Sequence, residues 1–250
     1  MMYYESGQGR SEYLLFHYGS AEEQWPYDYG PREGLDYPVR VVTWLIDPDM
    51  AHPARALDLG CSVGRSSFEL SRYAGEVVGV DLSSSFIDAA NELRDRGELK
   101  YTYTMEGDWQ RPTVARVPAE IDRQRVSFRV GDASNPPEEL GKFDVVLMAN
   151  LIDRLSDPAA CLGHLPDLVK RGGQLLLSTP CTWLEDYTPK DKWLCGRDAD
   201  GRFRSTLGGL VQHLGEAFEL ELTLDIPFLL REHARKYQWS VAMGTRWRRR

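Results

Sequence analysis

The chain has 250 residues, 42% of them hydrophobic, and a formal net charge of −8. That is enough chain for one large α/β domain with a real core, and its acidity argues against a broad phosphate-binding face, so nucleic acid is not an expected partner. No run of about 18 apolar residues occurs, so no membrane span is expected; the start also lacks a secretory signal, and the expected location is the cytoplasm.

The opening, MMYYESGQGRSEYLLFHYGSAEEQ, is rich in aromatic residues. Tyr3, Tyr4, Tyr13, Tyr18, Tyr27, Tyr29 and Tyr37 all precede Arg40, seven of the twelve tyrosines in the chain. One reading is an amphipathic helix from Ser11 to Tyr18 docked on a sheet. The other is a lid, because tyrosine offers a flat apolar face and a phenol to a small aromatic ligand. Residues 1–45 are therefore expected to form a cap over an active site in the 46–250 domain, with Arg10 and Arg32 able to clamp a carboxylate.

From Arg55 the pattern changes to alternating strands and helices. RALDLG reads as a buried strand, and SVGRSSFELSRYA as its turn and helix. EVVGVDL is the next strand, followed by the helix SSSFIDAANELRDRG with a serine N-cap and Gly97 as its stop. LKYTYTMEGDWQRPTVARVPAEIDRQ fits poorly and reads as an inserted hairpin or flap near 99–124. RVSFRVGDA, FDVVLMANL and GGQLLLSTP are three further strands. The helix DPAACLGHLPDLV lies between the last two, with Pro166 expected to break or kink it. TLGGLVQHLGEAF is helical, and FELELTLDIPFLL and YQWSVAMGTRW are strands. The REHARK link between them is too short for a crossover, so they should pair antiparallel. The fold class is α/β: a Rossmann-like, seven-stranded, mostly parallel sheet with an antiparallel C-terminal hairpin and helices on both faces.

The clusters at the margins read plainly. Arg246, Arg248, Arg249 and Arg250 suggest a solvated or frayed tail. Cys61, Cys161, Cys181 and Cys195 show no CxxC pair and read as buried free thiols. His17, His52, His164, His213 and His233 are scattered, and no metal is expected.

The informative motif is LDLGCSVGRSS, which places Asp58, Gly60, Ser62 and Gly64 between a strand and a helix. Its glycines allow a sharp turn and a ligand lying against main-chain atoms. Asp81, at the end of the second strand, can accept both ribose hydroxyl hydrogens. A dinucleotide loop would carry glycines where Ser62 and Arg65 stand, and Asp58 suits an ammonium better than phosphates. A nicotinamide-dependent oxidoreductase and a non-catalytic binding module remain the alternatives from other classes.

The loop resembles the first motif of class I S-adenosylmethionine-dependent methyltransferases. That resemblance implies S-adenosylmethionine as cofactor, S-adenosylhomocysteine as its product, and a cofactor site of Asp58, Gly60, Cys61, Ser62, Gly64, Asp81, Leu82, Asp132, Ala133 and Asn150. Further segments narrow it: YYESGQGRSEYLLFHYG, YDYGPREGLDYPVR, ALDLGCSVGRSSFEL, ANLIDRLSDP and TPCTWLEDYTP. Together they are similar to the 5-thiohistidine (4-mercaptohistidine) N-methyltransferase family of ovothiol biosynthesis, in its stand-alone form. The resemblance implies methylation of the imidazole π-nitrogen of a small zwitterion, 5-thiohistidine, and a functional link to a separate sulfoxide synthase. Another imidazole or amino-acid substrate is the alternative within the superfamily.

Candidate substrate residues follow by motif position: Tyr4, Gln8, Arg10, Tyr27, Tyr29, Asp153, Trp183 and Glu185, with Arg231 or Arg235 as reserves for the carboxylate. A proton acceptor beside the ring would be Asp153 first, then Glu185, Asp186, Tyr4, Tyr27 or Tyr29; Asp153 and Tyr29 are the expected catalytic pair. The bland readings are an N-cap for Asp153 and core packing for Trp183.

Overall fold

Short runs form the centre of the molecule, and all but the one at the sheet edge, Val126–Val130, bury most of their side chains, as expected for strands covered on both faces. In the computed structural model, which describes residues 2–50, 54–197 and 200–250, these are β1 (Arg55–Leu59), β2 (Glu76–Asp81), β3 (Val126–Val130), β4 (Phe143–Ala149) and β5 (Val169–Thr179). Two long strands complete the sheet, β6 (Phe218–His233) and β7 (Lys236–Arg249). The strand order is β6-β7-β5-β4-β1-β2-β3. β7 runs antiparallel to both of its neighbours, and the other pairs are parallel. The predicted sheet, including its closing hairpin, is the observed one.

Period-2 alternation sorts the β1 side chains between two cores. Ala56 packs with helices α1 (Gly7–Tyr18), α2 (Tyr37–Leu45) and α4 (Ser84–Arg96), whereas Leu57 and Leu59 pack with α5 (Pro158–Leu168) and α6 (Thr206–Leu214). Asp58, buried between them, therefore faces the first group, where α3 (Arg65–Leu70) also lies. Ser83 caps α4 by accepting from Phe86 N, and Gly97 ends it with a left-handed φ of 79°. Both signals were in the sequence.

The amino-terminal segment is bound into this architecture. Ser6 caps α1, and the Leu14 and Phe16 side chains share one core with Val41, Val42 and Leu45 of α2 and Ile226 of β6. Tyr18 Oη donates to Val63 O at 2.8 Å, and Ser83 Oγ to Tyr4 O at 3.1 Å. Residues 37–45, expected within the cap, form a helix buried against the sheet. The awkward stretch is a two-stranded hairpin, Glu98–Glu106 with Trp109–Arg116.

Three expectations are corrected here. Pro166 does not break α5, which continues to Leu168; so near the carboxyl end, its missing N–H removes only one of the last helical bonds. The terminal arginines are not frayed: Arg246 and Arg248 lie in β7 and pair with Glu221, and Arg248 also with Asp47 at 2.6 Å. Cys61 and Cys161 are buried, but Cys181 is exposed and Cys195 half-buried. His52 lies outside the described residues. No helix among the described residues is long and apolar enough to cross a membrane.

Candidate active site

The chain passes from β1 outward through β2 to β3, then returns to lay β4 on the other side of β1. That reversal opens a crevice at the carboxyl ends of the strands, the usual ligand position in such sheets. A cavity of about 530 Å³ occupies it, within the range for a small-molecule site.

The floor comes from the strand ends. The β1 turn needs Gly60, whose φ is 76° and where a Cβ would lie 2.9 Å from the Leu151 side chain. Gly64 (φ 85°) starts α3 and lets the Phe128 ring approach to 2.6 Å of where a Cβ would stand. Asp81 accepts from Ser62 N at 2.8 Å and Ser83 N at 2.9 Å, so its carboxylate ties the glycine loop to the start of α4. Burial raises the Asp81 pKa, and those N–H groups oppose the shift. Asn150, left-handed at φ 51°, ends β4; its N–H donates to Ser178 O at 2.9 Å. Ser178 Oγ bonds both Asn150 Oδ1 and Tyr37 Oη, the latter at 2.7 Å.

Two buried polar atoms in this floor have no partner, Asp58 Oδ1 and Ser62 Oγ. Asp58 Oδ2 accepts from Ser67 Oγ at 2.6 Å. Burial pushes the Asp58 carboxyl up to about 7, against the pull of that bond. A buried acceptor left open is costly unless a ligand fills it, on the order of 1–3 kcal/mol.

Aromatic side chains make the outer wall. Tyr4 meets Tyr13 edge-on at 5.8 Å between ring centres, and Tyr13 lies 5.1 Å from Phe86. Burial raises the Tyr4 and Tyr13 phenols well above the usual tyrosine value, so both stay neutral. Arg154 stands at the far end, its guanidinium 5.0 Å above the Tyr187 ring.

Of the predicted cofactor residues, Asp58, Gly60, Cys61, Ser62, Asp81, Leu82, Asp132, Ala133 and Asn150 all line the cavity; Gly64 lies behind it at the helix start. The predicted substrate set is mostly elsewhere. Tyr4 lines the cavity, but Tyr29 is 68% exposed and Tyr27 donates to Ala234 O, both packed around Trp25 outside the wall. Gln8 donates to the buried Glu12, and neither it nor Arg10 nor the exposed Glu185 lines the cavity. Trp183 is in the core, donating to Thr206 Oγ1. Asp153 is fully buried behind the wall, where Thr179 Oγ1, Thr182 N and Arg154 Nη1 occupy its carboxylate. Arg231 points to Glu23 O and stacks on Tyr103. Sequence reasoning missed Arg154, Tyr187, Tyr13 and His17. His17 lines the cavity with its Nδ1 buried and unpartnered; burial pushes its pKa down to about 3.

Residues 57–177 match the methyltransferase domain family. The chain carries a class I S-adenosylmethionine-dependent methyltransferase domain. Among curated relatives, it is 36% identical over 122 residues to the magnesium-protoporphyrin O-methyltransferase of Rhodobacter capsulatus, covering 48% of this chain and 42% of that one. It is 29% identical over 150 residues to the ubiquinone biosynthesis O-methyltransferase of Ruegeria pomeroyi, covering 58% and 50%. The chain spans about half the length of these relatives. In fold it is similar to the N-methyltransferase NodS of Bradyrhizobium japonicum, solved with S-adenosylhomocysteine, at a TM-score of 0.52, 14% identity and coverage of 96% and 98%.

The site of the methyltransferase domain fits the cofactor chemically. Asp58 Oδ1 is an open acceptor for an ammonium, Asp81 stands at the end of β2 for ribose hydroxyls, and the exposed Leu82 side chain lines the cavity beside it, suited to a flat base. Among the described residues no cluster of His, Cys, Asp and Glu could hold a metal ion.

Proposed function

We propose that this chain transfers a methyl group from S-adenosylmethionine to the imidazole π-nitrogen of 5-thiohistidine, giving ovothiol A. The observation that carries the reading is the cavity itself: one wall is the glycine loop, and the other is the tyrosine-rich amino-terminal segment that is the distinctive part of the sequence. The choice of acceptor rests on the sequence resemblance of that segment. The named curated relatives are O-methyltransferases, and NodS methylates nitrogen.

S-adenosylmethionine, when bound, supplies a methyl group activated by a positively charged sulfur. The protein has to position and enclose. Asp58 is assigned the methionine ammonium, Asp81 the ribose, Asp132 and Ala133 the adenine edge, and Asn150 the floor beneath the sulfur. Tyr4 and Tyr13 are assigned the face of the imidazole and the exclusion of water. Holding the ring nitrogen in line with the transferred methyl can contribute roughly 7–11 kcal/mol of barrier reduction. Neutral imidazole already carries a lone pair on one nitrogen, so no base is needed before attack. Asp153, with both oxygens engaged, is assigned a supporting role in place of proton transfer. A separate sulfoxide synthase is the expected source of the thiol substrate.

The test is product analysis. The protein with S-adenosylmethionine and 5-thiohistidine should yield a product heavier by one methylene, with the new methyl on the ring π-nitrogen by NMR; histidine should react poorly. Equal rates on histidine and 5-thiohistidine would remove the specific substrate and leave the enzyme class.

A further inference from the structure

The cavity is electrically divided. Three of its lining side chains are acids, Asp58, Asp81 and Asp132, at the carboxyl ends of β1, β2 and β3. Arg154 is the sole arginine or lysine among the lining residues, and it follows β4. Tyr13 lines the same cavity, within electrostatic reach of both Asp81 and Arg154.

Arg154 is held in an unusual way. Its Nη1 alone makes every hydrogen bond: to Asp153 O at 2.9 Å, Asp153 Oδ2 at 2.9 Å and Thr182 O at 2.8 Å. The guanidinium carbon lies 5.0 Å from the centre of the Tyr187 ring. Among the described residues Nε and Nη2 have no hydrogen-bond partner, and neither is a buried unpartnered atom, so both reach accessible surface. Those two nitrogens form the side-on fork of an arginine, two parallel N–H groups spaced to match the two oxygens of a carboxylate. Asp153 sits fully buried behind this arrangement, with its other oxygen on Thr179 Oγ1, and so locks the fork in place. The rigidity matters because an anchor with its rotamer already fixed loses little entropy on binding.

We propose that Arg154 is the anchor for the carboxylate of the methyl acceptor, with Asp153 as its positioning residue. This rests on the function proposed above and adds what selects an amino acid over its decarboxylated amine. A lone thiolate sulfur would use one arm of the fork; a carboxylate uses both. The acceptor is thereby tethered at the β4 end, with its ring lying back along Tyr4 and Tyr13 toward the acids.

The experiment compares three acceptors on the protein saturated with S-adenosylhomocysteine: 5-thiohistidine, its decarboxylated amine, and histidine, each by calorimetric titration. Wild type should bind 5-thiohistidine about 10- to 100-fold more tightly than the amine, the range for a charged bidentate contact. Arg154→Gln should bring the two affinities together, and Arg154→Lys should restore part of the preference by charge without the fork. Binding of the amine should change little in either variant, which a merely misfolded wall would not allow. A wild-type preference that survives in Arg154→Gln overturns the anchor and leaves the proposed function intact. A preference kept in full by Arg154→Lys overturns the fork geometry. Turnover of none of the three by wild type with S-adenosylmethionine refutes the substrate reading, and the anchor with it.

Discussion

Replacing Asp58 with asparagine tests how the cofactor end of the cavity works. The carboxylate is 1% exposed, one oxygen accepts from Ser67 Oγ at 2.6 Å, and the other is buried and open. Burial lifts its pKa to about 7, so at about pH 6 only some one in ten of the unliganded molecules carry the charge that an ammonium requires. Binding then expels a proton, and the apparent affinity for S-adenosylhomocysteine should fall about tenfold per pH unit below 7, or about 1.4 kcal/mol per unit. Above 7 it should level off. Asp58→Asn keeps the size and the Ser67 bond but turns an amide toward the ammonium. It should weaken binding by about 1.5–3 kcal/mol near pH 7.5 and abolish the pH dependence. The unliganded protein should show the opposite trend in stability. A carboxyl raised on folding holds a proton that the unfolded chain releases, so wild type loses stability as pH rises from about 4 to about 7. The variant should lack that loss and be the more stable of the two at about pH 8. Calorimetric titration between about pH 5.5 and 8, with thermal melts between about pH 4 and 8, reads both effects. A flat wild-type affinity profile, or an unchanged affinity in the variant, refutes the reasoning.

Asp81→Ala removes a ligand acceptor and the tie between Ser62 and Ser83, so cofactor affinity should fall by about 1–3 kcal/mol in the same titration. Asp153→Ala leaves Thr179, Thr182 and Arg154 without their shared acceptor. It should destabilise by about 2–3 kcal/mol in denaturant unfolding, less than for a fully buried pair because Arg154 keeps one side wet. Tyr29→Phe should leave KM and kcat unaltered, since the ring lies outside the cavity and phenylalanine keeps both its packing on Trp25 and the backbone carbonyl that Trp25 uses; a loss above tenfold would return Tyr29 to the reaction.

The sheet and the cofactor floor were legible because their signals are local. A glycine turn after a buried strand, an acid at the end of the next and a serine cap each act within a few residues, so LDLGCSVGRSS and Asp81 could be placed before any tertiary contact was known. The substrate end was legible only as a composition. The sequence marks the front as tyrosine-rich, but the tertiary path decides that Tyr4 and Tyr13 face inward while Tyr27 and Tyr29 both pack on Trp25. Asp153, expected at the site, is the sequence neighbour of the cavity-lining Arg154. It sits with Arg154 in a short 3-10 turn, where successive side chains diverge by about a third of a circle, so one goes to the core and the next to the cavity. The terminal arginines misled for a similar reason. Their partners, Glu221 and Asp47, lie far away in sequence, and a cluster of charges looks solvated until the sheet brings its counter-charges alongside.

A crystal structure with S-adenosylhomocysteine and 5-thiohistidine tests the whole arrangement at once. The account predicts adenosine beside Asp81 and Leu82, the homocysteine ammonium on Asp58, and the thiohistidine ring between that sulfur and Tyr4, its π-nitrogen nearest. Ligands bound outside the crevice above β1 and β2, or an amino-terminal segment swung away from them, would contradict it.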